Sequence, residues 1–429
     1  MKIGIDIRTL MDRRYSGVSE YTLNLINEIL KLDSSTGSEQ VNDYRLFYNC
    51  FGDCLNIPKF TSEKVKMVKY NYPNKILNYL FFKLFNYPKI DKELGVDLFF
   101  MPHINFIGLS KRLPRQNNLK TVISTTAIEP REKSLKDENG QYKGFLPAVE
   151  MTSRREIKSI ITVHDLSFLK YPEFFSWRKN FWHRMIKVKK LIKRFDCIVA
   201  VSENTKRDII ELCGVDENKI KVIYAGVNNE FGKNINQIES LEVKNKYQLP
   251  NKFILYLGTI EPRKNVDGII RAYNQLRAMS PELRDYKLVL AGEKGWKSDK
   301  IYKEWENSEF KDDIKFLGYV DSKDKVYIYS LAGVFVYPSF YEGFGFPPLE
   351  AMACGVPTIT SYAASLPEVT GEAAILVNPY NINNIAQAMM EILIDENLKK
   401  RLIERGLERV KKFSWDQTAR EYLEIFNKL

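Results

Sequence analysis

The chain has 429 residues, enough for two domains of ordinary size, and 44% of them are hydrophobic, enough to fill real cores. Its net charge of +11 sits in the first half: residues 1–228 carry 38 Lys+Arg against 26 Asp+Glu, and the remainder carries 27 against 28. A basic half admits an anionic membrane, an acidic ligand or nucleic acid, whereas the lack of any uncharged apolar run of about 18 residues excludes a transmembrane helix.

The opening MKIGIDIRTL carries charges within its apolar run and reads as a buried strand, not a signal peptide. Gly17, in RRYSGVSEYT, follows it and would let a ligand approach the first loop. An amphipathic helical pattern comes next, then strands at YRLFYN and VDLFFMP. Residues 111–157 are polar and weakly periodic, and read as an insertion, either decoration or an acceptor-side lid. SIITVHD is again a strand and leaves His164 at its carboxyl end, a position that favours a functional histidine over a structural one. Residues 176–196, SWRKNFWHRMIKVKKLIKRFD, interleave eight Lys/Arg with aromatic and aliphatic residues. They predict a basic helix that either packs one face on the core or rests on anionic lipid headgroups. Nucleic acid is not expected, since no recognised binding motif accompanies the charge. Strands at DCIVAVS and IKVIYAG close the first half, and residues 228–250 are polar and lysine-rich, as a boundary would be. The five cysteines (Cys50, Cys54, Cys197, Cys213, Cys354) include no CxxC pair and are expected as free thiols in a reducing, cytoplasmic setting.

The second half restarts with KFILYLGTI and continues with YKLVLAGE, IKFLGYV, GVFVYPS, PTITS and AAILVN, with helical patterns between. Two successive sets of alternating strands and helices predict an α/β protein with two Rossmann-like domains facing one cleft. The boundaries expected are 1–228 plus 413–429 for the first domain and 229–412 for the second. Ligands of such sheets lie beyond the carboxyl ends of the strands. Two stretches stand there. LGTIEPRKN offers Arg263 and Lys264, fixed cations that could meet a leaving diphosphate without a metal. FYEGFGFPPLEAMACG places Glu342 and Glu350 eight residues apart across a strand, a glycine-rich turn and a helix start. The turn's amides and the helix dipole favour a phosphate, and the two carboxylates suit sugar hydroxyls on either side of it. A nucleotide-sugar fits that pattern. No Asp-x-Asp occurs, so the usual short motif for a metal–diphosphate is missing and no metal cofactor is expected; nor does G-x-G-x-x-G follow the first strand, which argues against a nicotinamide or flavin enzyme.

YEGFGFPPLEAMACGVP, LGTIEPRKN, LAGEKGW, VHDLSF, VSENTKRDI and VIYAGVN together resemble the retaining GT-B glycosyltransferases of family 4, the glycosyl transferases group 1, in their bacterial mannosyltransferase-like form. The resemblance spans nearly the whole chain outside 111–157. It implies a metal-independent transfer of a hexose from a nucleotide-diphosphate sugar to a glycan or lipid-linked acceptor, with retention of anomeric configuration, at the cytoplasmic membrane face. By that resemblance Glu350 binds the ribose hydroxyls, Glu342 with the amides of Gly343, Phe344 and Gly345 holds the transferred sugar, and Arg263 and Lys264 neutralise the diphosphate. His164 would lie under the sugar, Gly17 and Gly258 in the donor-binding loops, and Gly318–Val320 near the base. The helix after residues 413–415 would cross back onto the first domain. Thr259, where several relatives carry arginine, and Asn228, in place of a common aspartate, depart from the pattern. A nucleotide-sugar epimerase, a phosphorylase of the same layout and a non-catalytic nucleotide-sugar-binding module are the alternatives.

Overall fold

The computed structural model describes residues 1–11, 17–35, 42–51, 57–58, 60, 62–73, 77–78, 82, 85–110, 156–232 and 235–429. The strands of the first half are β1 (Lys2–Asp6), β2 (Asp43–Asn49), β3 (Val65–Tyr70), β4 (Leu98–Met101), β5 (Lys158–Val163), β6 (Cys197–Ala200) and β7 (Ile220–Val222). Those of the second are β8 (Lys252–Leu257), β9 (Tyr286–Ala291), β10 (Ile314–Gly318), β11 (Val334–Tyr337), β12 (Thr358–Ser361) and β13 (Ala374–Val377). They form two sheets, ordered β3-β2-β1-β4-β5-β6-β7 and β10-β9-β8-β11-β12-β13, and every pairing is parallel. The order reverses beside β1 and β8, which opens a crevice at the carboxyl edge of each sheet.

The central strands are short β-branched and aromatic runs buried on both faces, such as LFFM in β4 and VFVY in β11. β3 was not among the expected strands. Its sequence VKMVKY alternates lysine with apolar residues and no residue of it is fully buried, because it lies at a sheet edge, where charge is a guard against further pairing.

The basic stretch is not one helix. It runs as Trp177–Ile186 and Val188–Ile192, broken at Lys187, whose φ of 55° caps the first piece in the left-handed region. No glycine marks the break, so periodicity alone reads through it. The last helix, Trp415–Lys428, packs along Gly17–Ser35 in the first half. Its Tyr422 hydroxyl lies 2.8 Å from that of Tyr21 and 2.6 Å from Thr162 Oγ1, and all three side chains are buried.

Cys197, Cys213 and Cys354 are free thiols, but Cys50 is disulfide-bonded, which corrects the expectation for it. The lack of CxxC spacing bears on metal and redox motifs, not on whether two thiols meet in the fold. Its partner, and the stretch 111–155 of the expected insertion, lie outside the described residues. Among the described residues no helix is long and apolar enough to cross a membrane.

Candidate active site

The turn between β11 and the helix Phe346–Ala353 is held by its carbonyls. Ser365 Oγ donates to the carbonyls of Glu342 (2.9 Å) and Phe344 (2.7 Å), while Ser202 and Thr205 hydroxyls donate to that of Gly343 (2.6 and 3.1 Å). The amides of Gly343, Phe344 and Gly345 have no protein acceptor among the described residues. With every carbonyl engaged, the turn presents donors ahead of a helix N-terminus, an arrangement suited to an anion. Gly345 has φ of 117°, a conformation that glycine alone adopts cheaply. Gly343 is required for a different reason. A β-carbon there would stand 1.8 Å from the His164 carbonyl oxygen and 2.7 Å from Asp165 Cβ, so the turn of the second half sits directly on the end of β5 in the first.

Around this turn the structure gathers four of the expected residues. Glu342 Oε2 accepts from Arg263 Nη1 at 3.0 Å and Oε1 from Lys264 Nζ at 2.5 Å. Arg263 also donates to the Tyr341 carbonyl at 2.7 Å and pairs with Glu261 at 2.9 Å, and Lys264 donates to the Tyr337 hydroxyl. Burial disfavours the Glu342 charge, yet Arg263 and Lys264 pull its carboxyl down to about 2. Burial lowers Lys264 in turn, and Glu342 offsets only part of that. The two cations are thus balanced by two carboxylates; Glu261 and Tyr337 were not legible as partners, since neither stands out in type or spacing. His164 donates from Nε2 to the Pro102 carbonyl at 2.8 Å, with the Tyr21 ring edge-on at 4.6 Å. Burial lowers its pKa, so the ring is neutral at pH 7 and Nδ1 carries the lone pair.

Glu350 lies apart from this cluster, buried in the helix Phe346–Ala353, and accepts from Tyr329 Oη at 2.9 Å. Burial raises its pKa against the pull of Lys325, and Lys325 itself bridges at 3.1 Å to Glu20 of the first half. Glu350, Glu20, Phe346 and Trp415 line a crevice between the halves closed to about 10 Å³, the room of one water. Gly17 opens onto the same helix: a β-carbon there would meet only Phe346, at 4.0 Å. Gly258 lies at the end of β8, where its amide donates to Ala291, beside the stacked rings of Tyr256 and Tyr337. Val320 turns its side chain into the second core, so that segment offers a ligand its backbone and the half-exposed Tyr319 ring.

A buried group that sequence reading passed over stands beside His164. His103, after β4, has Nε2 3.3 Å from Asn105 Nδ2 and leaves its buried Nδ1 without a partner; the Asp6–Arg8 pair lies next to it. Burial takes its pKa down to about 4. Among the described residues no group of three or more His, Cys, Asp or Glu side chains is placed to hold a metal ion.

Residues 237–409 match the family described as glycosyl transferases group 1, and residues 140–231 match glycosyltransferase family 4. The chain is 34% identical to the O-antigen chain mannosyltransferase B of Escherichia coli, over 67% of its own length and 75% of that relative's. The chain belongs to glycosyltransferase family 4. It is a bacterial mannosyltransferase-like member with the GT-B fold, and an enzyme of the glycosyltransferase class. A second relative, the serotype-specific mannosyltransferase WbdA of E. coli, is 35% identical over 63% of this chain, which spans only 34% of that longer protein. The crystal structure of HepE from Anabaena with UDP-glucose superposes with a TM-score of 0.64 at 15% identity, covering all of both chains, and so shares the fold.

Proposed function

We propose that this glycosyltransferase moves a mannose-like hexose from a nucleotide-diphosphate sugar to a glycan or lipid-linked acceptor, without a metal and with retention of configuration. The observation that carries the reading is the Glu342–Gly345 turn: three free amides at a helix start, with Arg263 and Lys264 beside them and carboxylates on either side. A diphosphate would take the amides and draw the two cations, while Glu350 meets ribose hydroxyls and Glu342 the hexose. The mannosyltransferase relatives support the choice of sugar, and the UDP-glucose held by HepE supports a nucleotide-sugar as donor.

In the proposed step the bond from the anomeric carbon to the diphosphate oxygen breaks as an acceptor hydroxyl attacks from the face just vacated. The hydroxyl proton passes to the departing phosphate oxygen, so no side-chain base is needed. His164 packs beneath this point and Glu342 holds the sugar without acting as nucleophile. Contact between the halves keeps water from the donor. The first half approaches an anionic membrane through its basic helices, on which Trp177 and Phe181 are exposed.

The test is turnover with excess EDTA and a panel of nucleotide-sugars, with the anomeric configuration of the product read by NMR. Full activity with chelator and a retained anomer are expected. Loss of turnover that Mn²⁺ restores would overturn the metal-free account, and donor consumed without an acceptor would point to an epimerase.

A further inference from the structure

A second cavity, of about 220 Å³, lies wholly in the first half, between the loop after β4 and the two basic helices. Phe82, Phe106, Ile107 and Leu191 give it an apolar floor, and Lys187, Lys190 and Arg194 line it with positive charge. Among the described residues no acid lines it. The nearest carboxylate acting on Arg194, that of Asp91, is occupied by the Ser110 amide and hydroxyl and the Lys92 amide. Arg194 is fixed by a 3.1 Å hydrogen bond to the Leu109 carbonyl, whereas Lys187 and Lys190 are exposed and able to swing.

The surroundings extend the slot outward. Met185 lines it, and Phe181 and Trp177 precede Met185 by one and two helical turns, so the three share a stripe. Phe181 and Trp177 are 51% and 74% exposed; Phe85 and Tyr87, which flank the lining residue Asn86, are 65% and 59% exposed. Two exposed aromatics thus share the helix that brings Met185 to the slot, and two more flank Asn86 in its lining; exposed apolar surface next to a basic slot is the kind of surface that marks a ligand or membrane contact. Inward, the slot reaches toward the proposed reaction centre. Asn105 lines it, three residues after Pro102, whose carbonyl holds His164. Three residues span at most about 11 Å.

We infer that this slot binds an anionic amphiphile: a phosphate or diphosphate head on a hydrocarbon chain, the head against Lys187, Lys190 and Arg194 and the first part of the chain on the apolar floor. The cavity is too small for a whole lipid, so the rest of the chain leaves along the Trp177–Phe181 stripe into the bilayer. The inference rests on the glycosyl-transfer reading only in making this molecule the acceptor's carrier.

The test uses the full chain without donor: calorimetric titration with decyl phosphate below its micelle concentration, with decyl maltoside as the neutral chain and inorganic diphosphate as the chainless anion. Decyl phosphate is expected to bind at least about tenfold more tightly than either control, each control lacking one of the two contacts. The exposed double substitution Lys187→Glu with Lys190→Glu should weaken decyl phosphate by at least about tenfold. Maltoside binding as tightly would reduce the slot to a greasy patch, diphosphate binding as tightly would make it a plain anion site, and an unchanged double variant would put the charge elsewhere; each overturns the inference. GDP and UDP titrated into the same samples report on the donor reading separately, and unchanged nucleotide binding in the double variant shows that it is folded.

Discussion

Glu342 stands between two cations, and its neighbours decide what each substitution reads. Lys264→Ala removes a cation held beside the free amides, so on the proposed assignment kcat should fall by about a hundredfold, with a smaller change in nucleotide affinity. Glu350→Ala lies away from that cluster and should raise the donor Kd by about tenfold with a lesser effect on turnover. Stopped-assay kinetics and nucleotide titration separate the two; equal effects on both quantities in both variants would sink the division of roles. His103 gives a pH signature. Its pKa is about 4 in the fold against 6.5 for an ordinary imidazole, so the unfolded chain binds the extra proton first. Stability contributed by the neutral ring is complete above pH 6.5 and is lost as pH falls toward 4, on the order of 3 kcal/mol in all. Urea midpoints across that window should decline, and His103→Gln should flatten the slope. The residues legible in the sequence were those whose chemistry clusters along the chain: Glu342 with Glu350, and Arg263 with Lys264. Ser202, Thr205 and Ser365, which hold the turn's carbonyls, are ordinary hydroxyls dispersed over more than a hundred positions, and no local signal marks them.

Among the elements, the β11–helix unit has the strand, glycine-rich turn and helix start that the sequence predicts, and its first glycine has a packing role that the sequence does not announce. Sequence reading assigns Gly343 only its amide; the structure shows that the missing side chain leaves room for the first half, since any β-carbon would strike the His164 carbonyl. Gly343→Ala should therefore push the turn off β5 and cut activity by at least about tenfold, while far-ultraviolet dichroism stays unchanged because neither sheet is touched. Activity within twofold of the parent would show that the contact is dispensable. The strands of both sheets were readable except β3, whose lysines mask its pattern at an exposed edge. The break at Lys187 was not readable either, because a non-glycine residue takes the left-handed conformation there.

For the molecule as a whole, the halves meet through specific polar contacts as well as packing. The Glu368 carboxylate of the second half accepts from the Glu203 and Asn204 amides, at 2.6 and 3.2 Å, capping a first-half helix from outside. Trp296 Nε1 donates to the Phe174 carbonyl at 2.7 Å, and Tyr341 Oη to Asp208 at 2.5 Å. On the proposed assignment a nucleotide is held at Glu350, and since the crevice there has room for about one water, the proposal calls for the halves to part. Such opening is a hinge motion, and the route of the chain limits its form. Trp415–Lys428 belongs to the second stretch of sequence yet lies against the first sheet's helix Gly17–Ser35, with Tyr422 sealed between Tyr21 and Thr162. Two covalent crossings, not one, therefore join the lobes. A protease site engineered at Asn236 should sever only one, and the resulting 236- and 193-residue fragments should still elute together from a sizing column in native buffer, separating only in denaturant. The helix Trp415–Lys428 would then be serving as a clasp, and an enzyme built this way could lose a link of its backbone without losing its partner lobe.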